Sequence, residues 1–388
     1  MFLIFFILIF IYAYRLRVLG HPAFVMNLLF ALLICILAFL EIGLLNDGYL
    51  YINSDEAWFA IQAKQTLHDI LGADQRYLLY KLYSYSNYML ADEWVFKIQS
   101  LPFALLTCLV LFDATKKKSA MWLFPIVFAY LYFLATLNMR DMIIVCAMLF
   151  FSLKASRSGT NGIIFWSGLS MLFFSLIRPE FTIVWFILML VLLLTHMSKI
   201  SFTKLFSIPI LSVVVLYVFF PEPLIYVSEY LYPKRIGIYT SNRMEAVTNV
   251  PFLNANAASL VRQLFTPLPT SKLSYMLTEG ITPNLIIMEI FRMILMMSFY
   301  LMSALLLFKW KKVCNILKNN RFLQVLFTIA VINTILYAIY RDGGGSSRNK
   351  LYPIMFAYVT FITLYVFRIE QYIKVKLRLQ SKHKETIA

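Results

Sequence analysis

Residues 22–45 read PAFVMNLLFALLICILAFLEIGLL, an apolar run in which Glu41 is the single charge. A helix needs about 20 apolar residues to cross the hydrocarbon core of a bilayer, so this run predicts a membrane-spanning helix. Similar runs recur along the chain at about 1–14, 22–45, 97–113, 119–137, 141–156, 162–178, 181–198, 205–221, 285–308, 322–340 and 351–367. The predicted fold is therefore an all-α polytopic membrane protein with about 11 transmembrane helices, which form a single transmembrane domain over 1–388.

The composition agrees with this fold class. The chain is 61% hydrophobic and 14% charged, and its mean hydropathy is +0.76, whereas a soluble domain carries about 25% charged residues. The four cysteines and four histidines are scattered, and none has the spacing of a metal site or of an exported disulfide. We therefore expect no metal ligand set and no certain cofactor, while a divalent metal that assists the chemistry stays open.

Positive charge is concentrated on alternate connections between the predicted spans. Those connections and the C-terminal tail, 368–388, hold 20 of the 35 Lys and Arg with three acidic residues, whereas the rest of the chain holds 15 basic and 16 acidic residues. This asymmetry is the positive-inside pattern, so the basic set is expected to face the cytoplasm. The net charge of +16 then indicates topology and contact with membrane lipids, not a nucleic-acid partner.

Two connections are long, and both fall on the predicted extracytoplasmic side. They are the first loop, 46–96, and the second loop, 222–284. In the first loop, Ser54 is suited to cap a helix that begins at Asp55, and the amphipathic, tyrosine-rich sequence that follows predicts interfacial helices on the outer leaflet. The first apolar run, 1–14, is short for a span; it crosses if it is tilted, and a re-entrant or interfacial segment is the alternative.

The acidic motif Asn53-Ser54-Asp55-Glu56 follows the second predicted span on the outer side. Its simplest interpretation is a pair of first-turn acids that stabilise a loop helix through the helix dipole. The functional interpretation is a general base, Asp55 with Glu56 second, that deprotonates an acceptor hydroxyl at the membrane surface.

Cationic residues gather at the outer ends of several predicted spans. Arg140 precedes the fifth span, Arg178 closes the sixth, and Arg348 and Lys350 precede the last. Snorkelling and pairing with neighbouring acids would also explain them. Guanidinium groups, however, bind phosphate oxygens in a bidentate manner, so an anionic lipid phosphate is the predicted ligand. Supporting candidates are Asp141, Glu180, Lys97 and Arg341.

These motifs resemble those of the C-type (GT-C) membrane glycosyltransferases, which include the protein mannosyltransferase and lipid A aminoarabinose transferase families. The motif at 53–56 is similar to their acidic motif in the first large outer loop. Segment 93–102, EWVFKIQSLP, is similar to their charged-then-Leu-Pro entry into the next span, with Lys97 or Gln99 where an arginine is usual.

Two later segments extend the resemblance to about half of the chain. Segment 138–141, NMRD, resembles the Arg-Pro-Asp element of these enzymes without its proline, and segment 348–353, RNKLYP, resembles their Arg-Tyr-x-x-Pro segment in a late span. Each motif alone is weakly specific. Their order and their common membrane side carry the resemblance.

The resemblance implies a GT-C-like fold and a glycosyl transfer. The expected donor is a polyprenyl (pyro)phosphate-linked sugar or oligosaccharide, and the expected acceptor is a glycan, a lipid or a protein. The reaction would occur on the periplasmic face of a bacterial inner membrane, in surface polysaccharide assembly. In this reaction Asp55 and Glu56 are catalytic, and Arg140, Arg178 and Arg348 bind the phosphate with help from Lys350.

Three other functions stay open at this point. Bacterial O-antigen and exopolysaccharide repeat-unit polymerases share this size, the number of spans, the two large periplasmic loops and essential arginines. A lipid-linked oligosaccharide transporter or flippase would carry charges near the middle of several spans, whereas Glu41, Glu289 and Arg292 here lie within a few turns of a span end. A non-catalytic membrane partner is the third alternative.

Overall fold

Helices make up nearly all of the described structure. The computed structural model describes residues 1–44, 54–72, 78–91, 93–137, 140–178, 180–197, 283–341 and 350–366, and no strand occurs in these ranges. The helices are α1 Phe2–Arg15, α2 Pro22–Leu44, α3 Ser54–Ala63, α4 Leu67–Gly72, α5 Leu78–Ala91, α6 Leu101–Thr115, α7 Lys118–Val127, α8 Ala129–Leu134, α9 Asp141–Ser156, α10 Thr160–Ile177, α11 Glu180–Met197, α12 Pro283–Phe308, α13 Trp310–Asn319, α14 Arg321–Arg341 and α15 Leu351–Phe361. A 3-10 turn, Glu93–Lys97, precedes α6, and a π-helical turn, Ile362–Val366, extends α15.

Most of the predicted spans coincide with described helices, and one of them is divided. The run predicted at 119–137 forms two helices, α7 and α8, separated at Phe128. The run at 205–221, most of the second predicted loop and the tail 368–388 lie outside the described residues. The first predicted loop, 46–96, contains α3, α4 and α5, and α3 begins at Ser54, where the sequence predicts its cap.

The break between α7 and α8 has a covalent cause in Pro125. Proline has no backbone N–H, so Pro125 cannot donate to the carbonyl of Met121 four residues earlier. The side-chain amide of Asn27 on α2 donates to that carbonyl instead, at 2.9 Å. The Asn27 carbonyl oxygen in turn accepts a hydrogen bond from the hydroxyl of Tyr132 on α8, at 2.7 Å. One buried asparagine therefore holds both halves of the broken helix.

Helix α1 runs parallel to α6. The rings of Phe5 and Phe103 are 4.8 Å apart near the beginning of both helices. Near their ends, the hydroxyl of Tyr12 donates to the carboxylate of Asp113 at 2.6 Å. The short first helix thus lies alongside an apolar helical stretch, Val95–Thr115, that is itself long enough to cross a membrane.

Helix length and surface composition both indicate a membrane protein. Among the described residues, three helical stretches are long and apolar enough to cross a bilayer, namely Val95–Thr115, Thr160–Ile177 and Ile287–Phe308. Large apolar side chains are also exposed on several helices, where a soluble protein would place polar ones. They include Ile7, Leu8 and Ile11 on α1, Leu29, Leu32 and Leu33 on α2, Phe165 and Leu172 on α10, Phe186 and Leu190 on α11, and Met297 and Leu301 on α12.

A buried polar network attaches α5 to the start of α6 and so positions α3, which packs against α5. Its centre is Gln99, which is fully buried. The Gln99 amide nitrogen donates to the hydroxyls of Ser84 and Tyr80 at 3.0 and 3.2 Å, and its amide oxygen accepts from Asn87 at 3.1 Å. The Tyr83 hydroxyl donates to the Gln99 backbone carbonyl at 2.6 Å. Gln99 is therefore a structural residue in this fold.

Candidate functional site

The two ends of the helix bundle carry different ionic clusters. Helix α9 begins at Asp141 beside Arg178 and ends beside Arg157, which pairs with Asp113. We call the first of these ends the arginine end, defined by Arg140, Arg178, Arg292 and Lys350, and the second the Asp113 end. The candidate site lies at the arginine end.

Arg178 and Asp141 join α10 to α9 at the arginine end. The Arg178 Nη1 atom lies 3.8 Å from the Asp141 Oδ1 atom, and both side chains are partly buried. The Arg178 guanidinium also lies over the ring of Phe181 on α11, 5.3 Å from its centroid. The ring of Phe181 in turn contacts that of Tyr352 on α15, with centroids 6.1 Å apart. These contacts link the ends of four helices.

Arg140 connects this cluster to α3, the helix that carries the acidic motif. Its guanidinium carbon lies 5.7 Å from the ring centroid of Phe59. Phe59 is buried and packs edge-on against Tyr80 of α5, with centroids 4.7 Å apart. Positions 55 and 59 are one helical turn apart on α3, so they share a face of that helix. The backbone of α3 thus brings position 55 to the side of the molecule where Arg140 lies.

A second cation, which sequence reasoning missed, contacts α3 next to Phe59. The ammonium nitrogen of Lys81 on α5 lies 5.6 Å from the ring centroid of Trp58. Lys81 is 4% exposed, which is unusual for a lysine. Adjacent aromatic residues of α3 therefore each contact a cation from another element. The sequence signal that could have identified Lys81 is a lysine between tyrosines in the sequence of α5.

Two further buried cations are Arg292 on α12 and Lys350, the residue that precedes α15. On α12 the Arg292 Nε atom donates to the carboxylate of Glu289, one turn earlier, and both side chains are buried. Lys350 is 1% exposed, and its ammonium nitrogen has no hydrogen-bond partner among the described residues. Burial, together with the smaller effect of the Arg292 charge, lowers the pKa of Lys350 to about 7.

Glu289 and Arg292 were visible in the sequence as charges near a span end, but sequence reasoning did not assign them to the site. An acid and a base three residues apart in an apolar helix are the signal for such a pair. The pair makes the surroundings of Lys350 polar on the α12 side. An anion that entered here would meet cations from two separate helices.

The other predicted site residues lie partly inside and partly outside the described part of the chain. Lys97 is buried and follows Phe96, which packs with Val95 against Ala60 and Ala63 of α3. The side chains of Asp55, Glu56, Glu180 and Arg341 and all of Asn53 and Arg348 lie outside the described part of the chain. Their roles stay predictions.

Chemically, the arrangement suits an anion. Cations next to α9 and α10, on α12 and at the start of α15 lie at one end of the bundle, and the aromatic rings of α3 and α11 contact two of the guanidiniums by cation–π interaction. In the described ranges no group of three or more His, Cys, Asp or Glu side chains could hold a metal ion.

No family model, no characterised protein and no solved structure matches this chain. The resemblance to C-type glycosyltransferases therefore stays a prediction from motifs.

Proposed function

We propose that the chain is a membrane glycosyltransferase that moves a sugar or oligosaccharide from a polyprenyl (pyro)phosphate donor to an acceptor hydroxyl on the extracytoplasmic face of a bacterial inner membrane. The observation that carries the proposal is the buried ammonium of Lys350, which has no hydrogen-bond partner among the described residues. A buried ammonium without a partner is costly. A donor phosphate beside Lys350 would supply the missing hydrogen-bond acceptor.

The neighbouring guanidiniums suit the same phosphate group. A cation–π contact occupies the flat face of a guanidinium, whereas a phosphate is bound by its N–H edge. Phe59 and Phe181 thus orient Arg140 and Arg178 without competing for that edge. Arg348 keeps its predicted role in phosphate binding, because it lies two residues before Lys350 in the sequence.

The proposed reaction needs one base and one stabilised leaving group. The carboxylate of Asp55, with Glu56 as the second candidate, accepts the proton of the acceptor hydroxyl. The hydroxyl oxygen forms a bond to the anomeric carbon of the donor, and the bond from that carbon to the phosphate oxygen breaks. The lipid (pyro)phosphate leaves with the electron pair, and the cations of the arginine end offset its added negative charge.

The membrane supports this assignment of the donor. A polyprenyl chain is soluble only in lipid, so an enzyme that binds it must present its phosphate site at the height of the headgroups. Arg140, Arg178 and Lys350 lie at the ends of apolar helices, and Arg292 lies within the first three turns of α12, which is near where a lipid phosphate would be. Polar residues at span ends also favour transfer at the surface over transport through the middle of the bilayer.

The test compares two acids of the first predicted loop. The full chain is reconstituted in proteoliposomes with labelled polyprenyl-phosphate sugars, and release of polyprenyl phosphate is measured. Asp55→Asn should lower the rate by about 10²–10⁴-fold, as loss of a general base does. Asp69→Asn is the matched control, because Asp69 is exposed on α4 and accepts a hydrogen bond from Thr66. Near wild-type transfer by Asp55→Asn would remove Asp55 from the mechanism.

A further inference from the structure

Helix α13 has a buried apolar face. It follows the 22-residue apolar stretch Ile287–Phe308 after a single residue. Val313 and Leu317, one turn apart, are buried against the bundle. The side-chain amide of Gln324 on α14 donates to the backbone carbonyls of Leu317 and Lys318 at 2.8 and 3.2 Å. These contacts fix the orientation of α13 against the bundle.

The opposite face of α13 is basic. Lys311 and Lys318 share that side of the helix with Asn315, because residues four and seven positions apart align on a helix. We define the α13 basic face as five exposed cations. Three belong to α13, namely Lys311, Lys312 and Lys318; Lys309 directly precedes the helix, and Arg321 begins α14. None of the five forms an ion pair with a described carboxylate, and the sequence has no Asp or Glu from 290 to 341.

The surroundings place the α13 basic face where hydrocarbon gives way to headgroups. Leu307 and Phe308 are 69% and 84% exposed, so the apolar outer surface of α12 continues up to α13. Trp310, which follows, is half exposed, and tryptophan is enriched at membrane–water interfaces. Glu289 and Arg292 lie at the other end of α12, so α13 belongs to the Asp113 end.

We propose that the α13 basic face is a binding surface for anionic phospholipid headgroups of the leaflet at the Asp113 end. Five cations with no described counter-charge attract the phosphates of such lipids, while the adjacent exposed apolar residues contact their acyl chains. A water-soluble polyanion would engage the lysines and leave these apolar residues uncovered. The surface lies at the opposite end of the bundle from the donor site, and its lipid binding does not depend on glycosyl transfer.

The test is a lipid titration that needs no sugar donor. Brominated phosphatidylglycerol is added to the full chain in phosphatidylcholine micelles, and tryptophan quenching is measured. The quenching of Trp310 alone is obtained by subtracting the quenching of the Trp310→Phe variant from that of the wild type. Brominated phosphatidylglycerol should quench Trp310 at a lower mole fraction than brominated phosphatidylcholine. Replacing Lys311, Lys312 and Lys318 with Gln should raise the apparent Kd of phosphatidylglycerol on the order of 100-fold, which is about fivefold per lysine.

A second triple variant separates this surface from general positive charge. Arg15, Arg17 and Lys118 are exposed at the same end, and their replacement with Gln removes the same charge; it should leave the Kd of phosphatidylglycerol nearly unchanged. Equal losses in both triple variants, or no loss in the α13 variant, would overturn the proposal. If the α13 triple variant does not fold, the Kd of phosphatidylglycerol is measured for the three single Lys→Gln variants, and each should be raised. Lys→Arg variants at the same positions keep the charge and should keep the wild-type Kd.

Discussion

The Asp113 end and the arginine end of the bundle are both ionic, yet their charges are balanced differently. The Asp113 carboxylate is buried and accepts hydrogen bonds from Tyr12, Lys116 and Arg157. At the arginine end, Lys350 is buried with no described hydrogen-bond partner. The described residues supply three donors to the Asp113 carboxylate, whereas they supply no acceptor to the Lys350 ammonium.

This difference separates a structural cluster from a candidate binding site. The Asp113 cluster ties α1, α6 and α9 together, and each of its contacts contributes to folding. A buried ammonium without a partner reduces stability, so its presence needs another reason. A ligand phosphate provides one, since residues that bind ligands commonly carry such a cost.

Lys350→Met should have opposite effects on activity and on stability. Loss of a cation from the phosphate site should lower the rate of polyprenyl phosphate release by about 10²–10³-fold. Removal of a buried charge without a partner should raise the free energy of unfolding of the ligand-free chain by about 1–4 kcal/mol. Both are measured on one preparation, by transfer assay and by thermal unfolding in detergent. A variant that is less stable and fully active would show that Lys350 is structural.

The stability of the ligand-free chain should also depend on pH through Lys350. Burial lowers the pKa of this lysine from 10.5 to about 7. Between these values the unfolded chain binds more protons than the folded chain, so the free energy of unfolding should rise as pH rises through this window. Below pH 7 both states are protonated and the contribution of Lys350 becomes constant. Thermal unfolding measured across the window should show the rise in the wild type and lose it in Lys350→Met.

Asp113→Asn should affect stability alone. It removes the charged acceptor of three hydrogen bonds, and we expect a loss of about 1–3 kcal/mol in the free energy of unfolding. The loss stays in this range because Lys116 and Arg157 are partly exposed and solvent screens their charges. The transfer rate at a temperature well below the unfolding midpoint should match the wild type. A large loss of transfer in a folded variant would place Asp113 in the function and end the contrast between the two ends.

Phe59→Leu should have the smallest effect. The substitution keeps an apolar side chain under Arg140 but removes the aromatic face, and a cation–π contact contributes about 0.5–1 kcal/mol. The Kd of polyprenyl phosphate should therefore rise about two- to fivefold. Phe150→Leu, which removes the ring under Lys154 near the Asp113 end, is the control and should leave this Kd unchanged.

Much of the helical framework could be predicted from the sequence, because long apolar runs leave the backbone few alternatives in a bilayer. The start of α3 at Ser54 was predicted to within one residue, because serine is a preferred residue at helix N-termini. The break in the run 119–137 was missed although Pro125 was visible. Hydropathy does not register a missing N–H, and the partner that takes its place, Asn27, is distant in sequence.

The candidate site could be predicted only in part. The sequence indicated cations at span ends but could not show which helix faces meet. Lys81 and the pair Glu289–Arg292 were therefore missed, since their importance comes from burial and from neighbours on other elements. Gln99 illustrates the converse, because the resemblance placed Lys97 or Gln99 where an arginine is usual, whereas the hydrogen bonds of Gln99 make it part of the framework.

The most direct test of the account compares two lipids that differ only in their phosphate. The Kd values of polyprenyl phosphate and of the uncharged polyprenol are measured for the full chain, for Lys350→Met and for the control Lys154→Met. We predict that the wild type and the control bind the phosphate much more tightly than the alcohol, and that this preference largely disappears in Lys350→Met. An equal preference in all three proteins would contradict the assignment of the arginine end as a phosphate site.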